Sequence, residues 1–490
     1  VNGWVDVGEP VRRARSRVPA RWQSSIDRAD QLASRSELPL LLAIIAAIPL
    51  EFTKLWFPVT WVDVSRIGIS AALAILLLHV AAGTVRLRRS PLLLAIGAVA
   101  VIELASFALT RWPLGPKEAF ATMAYAGFAL FVAHVLSSHR SYGAIAMVLL
   151  ASALMVGLIS IAQEIGNFSI WPLPVPDPLG RRSSTFGDPN IAARFLAMSV
   201  IIGLASLAAL DRRRREPRGW LHLTPRRAVA LIALTIAVLA VADVLTLSRI
   251  GWVTAVLAIA MWLPMAIRRR TIVIGIAAFA IAFGGYLILA PTASTRASSV
   301  ASDAITRIGA DAGDDGVIPP DLTLPADPSA VTPFDGVIEH VPIDSVRRYL
   351  IRAGVAMTID HPILGVGVGG FDAELRSSYW KYVPLDRRGS PTTLLHTDVM
   401  RVIAETGLVG LAGWAVLLFT VGLAVRRGLR SGNDLDRLAT WAAVAAIIVI
   451  IAASQFAGRF YTEPYLWLSL GILLAIPAMA PVRDGRPAAA

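Results

Sequence analysis

The sequence predicts an all-α polytopic membrane protein of about 12 transmembrane helices, with one large extracytoplasmic loop that itself contains helices. Three observations carry this reading. Apolar residues make up 56% of the 490 and mean hydropathy is +0.63, beyond the usual share of soluble domains, so part of the solvent must be lipid. Twelve stretches approach the ~20 mostly apolar residues that cross a bilayer. Arginine clusters fall in every second loop between them, at 85–90, 139–140, 211–218, 268–270 and 426–430.

Taken in order, residues 1–37 are expected to form a cytoplasmic or interfacial segment. The first 36 residues lack the apolar core of a signal peptide, and VRRARSRVPARW with Trp22 suits a membrane surface. Spans one to nine are expected within 38–290, at 38–57, 64–84, 91–110, 118–137, 143–163, 190–210, 228–247, 250–267 and 271–290. Glu51 and Lys54 make the first the weakest, and the seventh and eighth leave only a tight turn at Ser248 and Arg249. An extracytoplasmic loop at 291–406 precedes spans ten to twelve within 407–480, at 407–425, 438–456 and 464–480, and a cytoplasmic tail at 481–490.

The positive-inside rule places the arginine-rich loops and both termini in the cytoplasm. The long outer loop divides in two. Residues 294–340, with GADAGDDGVIPPDLTLPADP, read as a flexible acidic stretch. DSVRRYLIRAGVAMTID then spaces Val346, Leu350, Val355 and Met357 for an amphipathic helix stopped by Pro362, and a second helix is expected from about Thr393.

The formal charge of +12 rests almost wholly on arginine, since lysine occurs only at 54, 117 and 381. Guanidinium is flat, permanently charged and suited to phosphate. The clusters sit in short loops between spans, which argues for membrane lipids as neighbours and against nucleic acid. Without cysteine there is no disulfide, thiol nucleophile or thiolate metal site. HExxH and HxxxH patterns are absent too, so no metal and no cofactor are expected.

Charged groups near hydrocarbon need partners or a role. RRSSTFGDPN, 181–190, puts Arg181 and Arg182 at an outer helix mouth, where contact with lipid headgroups is the bland explanation. The Asp-Pro-Asn turn changes the odds. Asn190 would open a helix whose N–H groups suit an anion, and Arg194 lies one turn below it. Arg249 stands between two apolar helices, where snorkelling or pairing with Asp243 competes with function. Of the seven histidines, His79, His134, His139 and His222 fall toward the cytoplasm. Of the outer three, His396 shares the interfacial region with Glu405 and the arginines, a place for an acid-base or hydroxyl-orienting group. GVGVGGF lacks a βαβ setting and is a poor nucleotide loop.

Together RRSSTFGDPNIAARFLA, TLSRIGWVTAVLA, HPILGVGVGGF and LLHTDVMRVIAETGLVGLAGW resemble, in that order and over about 180–425, the O-antigen ligase and polymerase family of membrane glycosyltransferases. The resemblance implies a GT-C type fold with an active site at the outer leaflet and no metal. It implies transfer of a glycan from a polyprenyl diphosphate carrier to an acceptor hydroxyl on a glycan or lipid. The family's first arginine matches Arg181, with Arg182 as the adjacent alternative. The second matches Arg249, and its histidine matches His396, with Glu405 in the E-x-G turn. Thr397 departs from the family's usual Asn. Arg348 and Arg352 are further contacts the resemblance suggests.

The chemistry agrees with these residue types. Guanidiniums would stabilise the departing diphosphate, and His396 would take or orient the acceptor proton, giving inversion in one displacement. Ligase and polymerase differ only in the acceptor. A proton-coupled transporter using Glu103 and Asp243 is the rival from another class, although the polar motifs gather at the outer ends and no inverted repeat is visible. A glycan-binding scaffold without catalysis is a third.

Overall fold

Within a bilayer each backbone N–H and C=O must be satisfied inside its own segment, and the apolar runs here achieve that as helices. The computed structural model describes residues 4–5, 20–57, 62–85, 87–110, 112–170, 180–213, 224–266, 269–290, 343–384, 388, 397–457 and 462–476. Ten spans among them are long and apolar enough to cross a membrane. In chain order the helices are α1 Ala20–Ala47, α2 Val64–Ala82, α3 Pro91–Thr110, α4 Gly115–His139, α5 Tyr142–Gly166, α6 Pro189–Arg213 and α7 Pro225–Leu245. There follow α8 Arg249–Ala260, α9 Leu263–Ala266, α10 Arg270–Leu289, α11 Ile343–Asp360, α12 Phe371–Arg376, α13 Asp398–Leu429, α14 Asp434–Ala457 and α15 Pro464–Ala475. The protein is thus an all-α polytopic membrane protein. Its β structure among the described residues is one two-residue antiparallel pairing, Trp4–Val5 with Leu87–Arg88.

Three expected spans differ in detail. The first helix begins at Ala20 and stops at Ala47, with Glu51–Trp56 coiling into a 3-10 turn. The interruption has a cause: Glu51 pairs with Lys54 and accepts from the Gly187 amide at 3.1 Å, so the charges face a polar neighbour. The eighth span is α8 and α9 together, broken at Met261 and Trp262. Pro264 has no N–H to offer the Ala260 carbonyl, which interrupts the ladder there. The twelfth, α15, has 12 described helical residues against the 17 expected at 464–480, whose end lies outside the described residues.

α6 is the most buried of the ten spans. It packs against α5, α7, α8, α10 and α14, with Phe195, Leu196, Ile201 and Leu204 almost wholly inside. A second apolar cluster lies beyond the bundle. There Leu350, Ala353 and Met357 of α11 join Val366, Phe371, Leu375, Tyr379 and Ala404. The three-and-four spacing of 350, 353 and 357 sets the buried face, and Val355 falls on the outer one, 42% exposed. The acidic stretch at 294–340 and the start of the helix expected from Thr393 lie outside the described residues; α13 is described from Asp398.

Candidate functional site

The chain segments carrying Arg181, Arg182 and Arg249 meet at one end of the bundle. The Arg182 amide donates to the Leu245 carbonyl at 3.0 Å, and Ser248 Oγ donates to Asn190 Oδ1 at 2.8 Å. Ser248 also caps α8 by accepting from the Gly251 amide at 3.1 Å, so Arg249 opens that helix beside the start of α6. These bonds hold the loop at 180–188 against the turn at 246–248.

Two backbone outliers mark the same place. Ser184 and Leu247 have φ of 54° and 47°, a left-handed conformation costly to residues other than glycine. Each lies two residues from an arginine of the site. Ser184 is clamped by Gln163, which accepts from its amide at 2.9 Å and donates to its carbonyl at 3.2 Å, while its Oγ donates to the Val156 carbonyl at 2.7 Å. Thr185 donates to the Pro49 carbonyl at 2.5 Å, tying the loop to the end of α1. Strain held in place this firmly fits a segment whose geometry matters.

The individual side chains of this region differ in burial and in their partners. Arg181 and Arg249 are half-buried. Arg182 Nε donates to Glu164 Oε2 at 2.7 Å and Nη2 to Asn167 Oδ1 at 3.2 Å, so its charge is matched locally. Arg194 is 3% exposed and paired with Glu463 at the head of α15. It sits inside the bundle as a strut, which differs from the diphosphate contact expected of it. The opening of α6 differs as well: Asp188 accepts from the Asn190 amide at 2.7 Å, so that N–H is taken. Asn190 instead ties two loops.

Asp243, the partner weighed for Arg249, is 1% exposed, and neither of its carboxylate oxygens has a hydrogen-bond partner among the described residues. Its backbone carbonyl accepts from Thr246 Oγ1 at 2.7 Å and Trp252 Nε1 at 3.3 Å.

His396 lies outside the described residues. Its neighbour Thr397 donates to the Gln455 carbonyl at 3.4 Å, which brings this part of the chain to the end of α14. Glu405 is 5% exposed and braced internally: its carboxylate accepts from Arg401 Nε at 3.2 Å and from the Phe371 amide at 3.4 Å. Arg401 reaches Glu118 on α4 as well, at 3.7 Å. Glu405 therefore supports the site's framework, where a substrate contact was expected. Arg348 and Arg352 are exposed on α11.

GVGVGG serves as a clasp. The Val366 and Gly367 amides each donate at 2.8 Å to the Ala404 and Glu405 carbonyls, at a break in α13 where Gly407 has φ 63° and ψ −159°. Trp112 Nε1 donates to the Val366 carbonyl at 2.6 Å and Ser106 Oγ accepts from the Val368 amide at 3.1 Å, locking the clasp to α3 and α4. Sequence reasoning missed Glu463, Gln163 and Glu164 as partners. Only their charge or polarity beside an apolar run could have flagged them.

Residues 234–415 match the family described as O-antigen ligase, a stretch that takes in Arg249, the glycine clasp and Glu405 and spans less than half the chain. No curated protein matches the chain. The family match supports the assignment that the ordered motifs suggested.

Proposed function

We propose that this O-antigen ligase-like membrane protein moves a glycan from a polyprenyl diphosphate carrier to an acceptor hydroxyl at the outer face of a bacterial cytoplasmic membrane. The observation that carries the reading is the hydrogen-bonded union of the 180–190 loop with the Ser248 turn, which sets Arg181 and Arg249 on adjoining segments.

Breaking the anomeric bond leaves charge on a diphosphate. Two guanidiniums on rigid helix-flanking turns are preorganised to receive it, without waiting for solvent to rearrange. His396, next to Thr397 in the sequence, takes or orients the acceptor proton. A single displacement of this kind inverts the sugar carbon. The carrier's polyprenyl tail lies among the lipid-facing helices and fixes the donor's reacting end. A ligase and a polymerase share all of this, and the choice of acceptor separates them.

The transporter reading fits less well. Glu103 is on α3, which packs on α4 and α13, whereas Asp243 is on α7, which packs on α5, α6 and α10, so the two carboxyls belong to different parts of the bundle.

Arg249→Ala, assayed in proteoliposomes with a polyprenyl-diphosphate-linked oligosaccharide, should lose about 10²–10³ in turnover, the scale of removing one charge-stabilising donor. Near-normal turnover by that variant would overturn the assignment. Offering lipid and carrier-linked acceptors in parallel distinguishes ligase from polymerase.

A further inference from the structure

Three elements that supply no arginine to the cradle converge at the opposite end of the bundle. Glu37 on α1, His79 near the end of α2 and His134 near the end of α4 are 2%, 1% and 3% exposed. Their ligand atoms, one from each, all lie within 4.8 Å of one another. His79 Nε2 and His134 Nε2 each stand 3.2 Å from the same oxygen, Glu37 Oε2.

That contact lacks the alignment of a hydrogen bond: Glu37 Oε2 and His79 Nε2 have no hydrogen-bond partner among the described residues. A buried carboxylate oxygen facing a buried ring nitrogen needs an explanation.

The outer contacts sharpen it. Asp30 Oδ1 lies 2.8 Å from His79 Nδ1 and accepts from Thr84 Oγ1 at 2.8 Å, so the ring proton belongs on Nδ1. In the neutral ring Nε2 then presents a lone pair toward an anionic oxygen, a place that a metal ion or, in the imidazolium, a second ring proton would fill. His139 Nε2 stands 2.7 Å from Glu37 Oε1, which holds the carboxylate so that Oε2 turns inward. A carboxylate behind one imidazole and a histidine behind the carboxylate are the kind of outer-shell partners that orient metal ligands. The two carboxylate–imidazole separations of 3.2 Å agree, since an ion with tetrahedral bonds of about 2.0–2.1 Å separates its donors by roughly 3.3 Å.

We propose that Glu37 Oε2, His79 Nε2 and His134 Nε2 bind a first-row divalent transition-metal ion, zinc in the first instance, which fastens α1 to α2 and α4. Two imidazoles and a carboxylate with no thiolate suit such ions and disfavour magnesium or calcium. His139, whose side chain is 37% exposed, marks the way in. The ion sits away from the arginine segments and takes no part in transfer.

The test uses the full chain in detergent, purified through a tag without histidine. Stripped protein titrated with Co²⁺ should develop the visible absorption of a tetrahedral site. Protein reloaded with Zn²⁺ should retain one ion per chain, and its Tm should fall on adding EDTA. Glu37→Gln, which preserves shape, should abolish the cobalt spectrum, the retained zinc and the EDTA response together. No cobalt spectrum and no retained zinc in the wild type would overturn the proposal, even if Glu37→Gln proved too unstable to measure. So would a Tm that follows pH but ignores both metal and chelator, because the group between Oε2 and the imidazoles would then be a proton.

Discussion

Arg194 and Arg249 carry the same charge near the same turn, yet the fold uses them differently. Arg194 is buried against Glu463, and removing one member of such a pair leaves an uncompensated charge inside, at about 3–5 kcal/mol. Arg194→Ala and Glu463→Ala should each lower Tm sharply, and the double replacement by leucine should recover much of the loss in thermal unfolding. Arg249 is half-buried at the first position of α8. Arg249→Ala should change stability by about 1 kcal/mol or less, with its effect confined to turnover. The sequence could name both arginines because guanidinium beside hydrocarbon is conspicuous. It could not sort strut from ligand, because Glu463 approaches from 269 positions away and no local pattern announces it.

Among elements, α13 and the clasp that closes on it make the sharpest case. Gly407 breaks α13 with positive φ, and a Cβ there would stand 2.3 Å from the Ile363 carbonyl oxygen and 2.4 Å from its carbon. Backbone cannot step aside as a flexible side chain can. Gly407→Ala should therefore cost about 2 kcal/mol or more, from left-handed strain and the clash together, and limited proteolysis should find the segment at 362–371 loosened. Gly251 is needed for a similar reason. A Cβ there would approach that of Ala193 to 2.4 Å, so its bareness lets α8 press on α6 beside the site. Gly251→Val should push Arg249 out of register and reduce turnover more than Tm. Helices were readable because apolar runs of bilayer length admit little else. The ends of α1 and α8 were legible only in part: Glu51 and Lys54 flagged the weak first span, but Gly187 reaches Glu51 only in three dimensions, and Pro264 breaks a stretch that hydropathy alone treats as continuous. The metal cluster escaped for the same reason: its ligands come from three helices, with no short spacing to betray them.

At the scale of the whole molecule, orientation is what makes the cradle useful. Because each spanning helix reverses the chain, the described parts of the arginine-rich connections follow one set of helix ends, and the 180–190 loop, the Ser248 turn and the α11–α12 segment follow the other. If the positive-inside bias sets the fold in the membrane, the first end faces cytoplasm and the cradle faces outward, where the proposed carrier-linked donor would be presented. The absence of cysteine makes this easy to probe, since one introduced thiol is the only one in the protein. Gly432, in the exposed turn between α13 and α14, has open space where a Cβ would go. Ser378, just after α12, is exposed at the other end. In spheroplasts, a membrane-impermeant maleimide should label Ser378→Cys and spare Gly432→Cys until the membrane is permeabilised. The reverse pattern would turn the arginine cradle toward the cytoplasm, and a donor on the outer leaflet could not reach it whatever the guanidinium geometry.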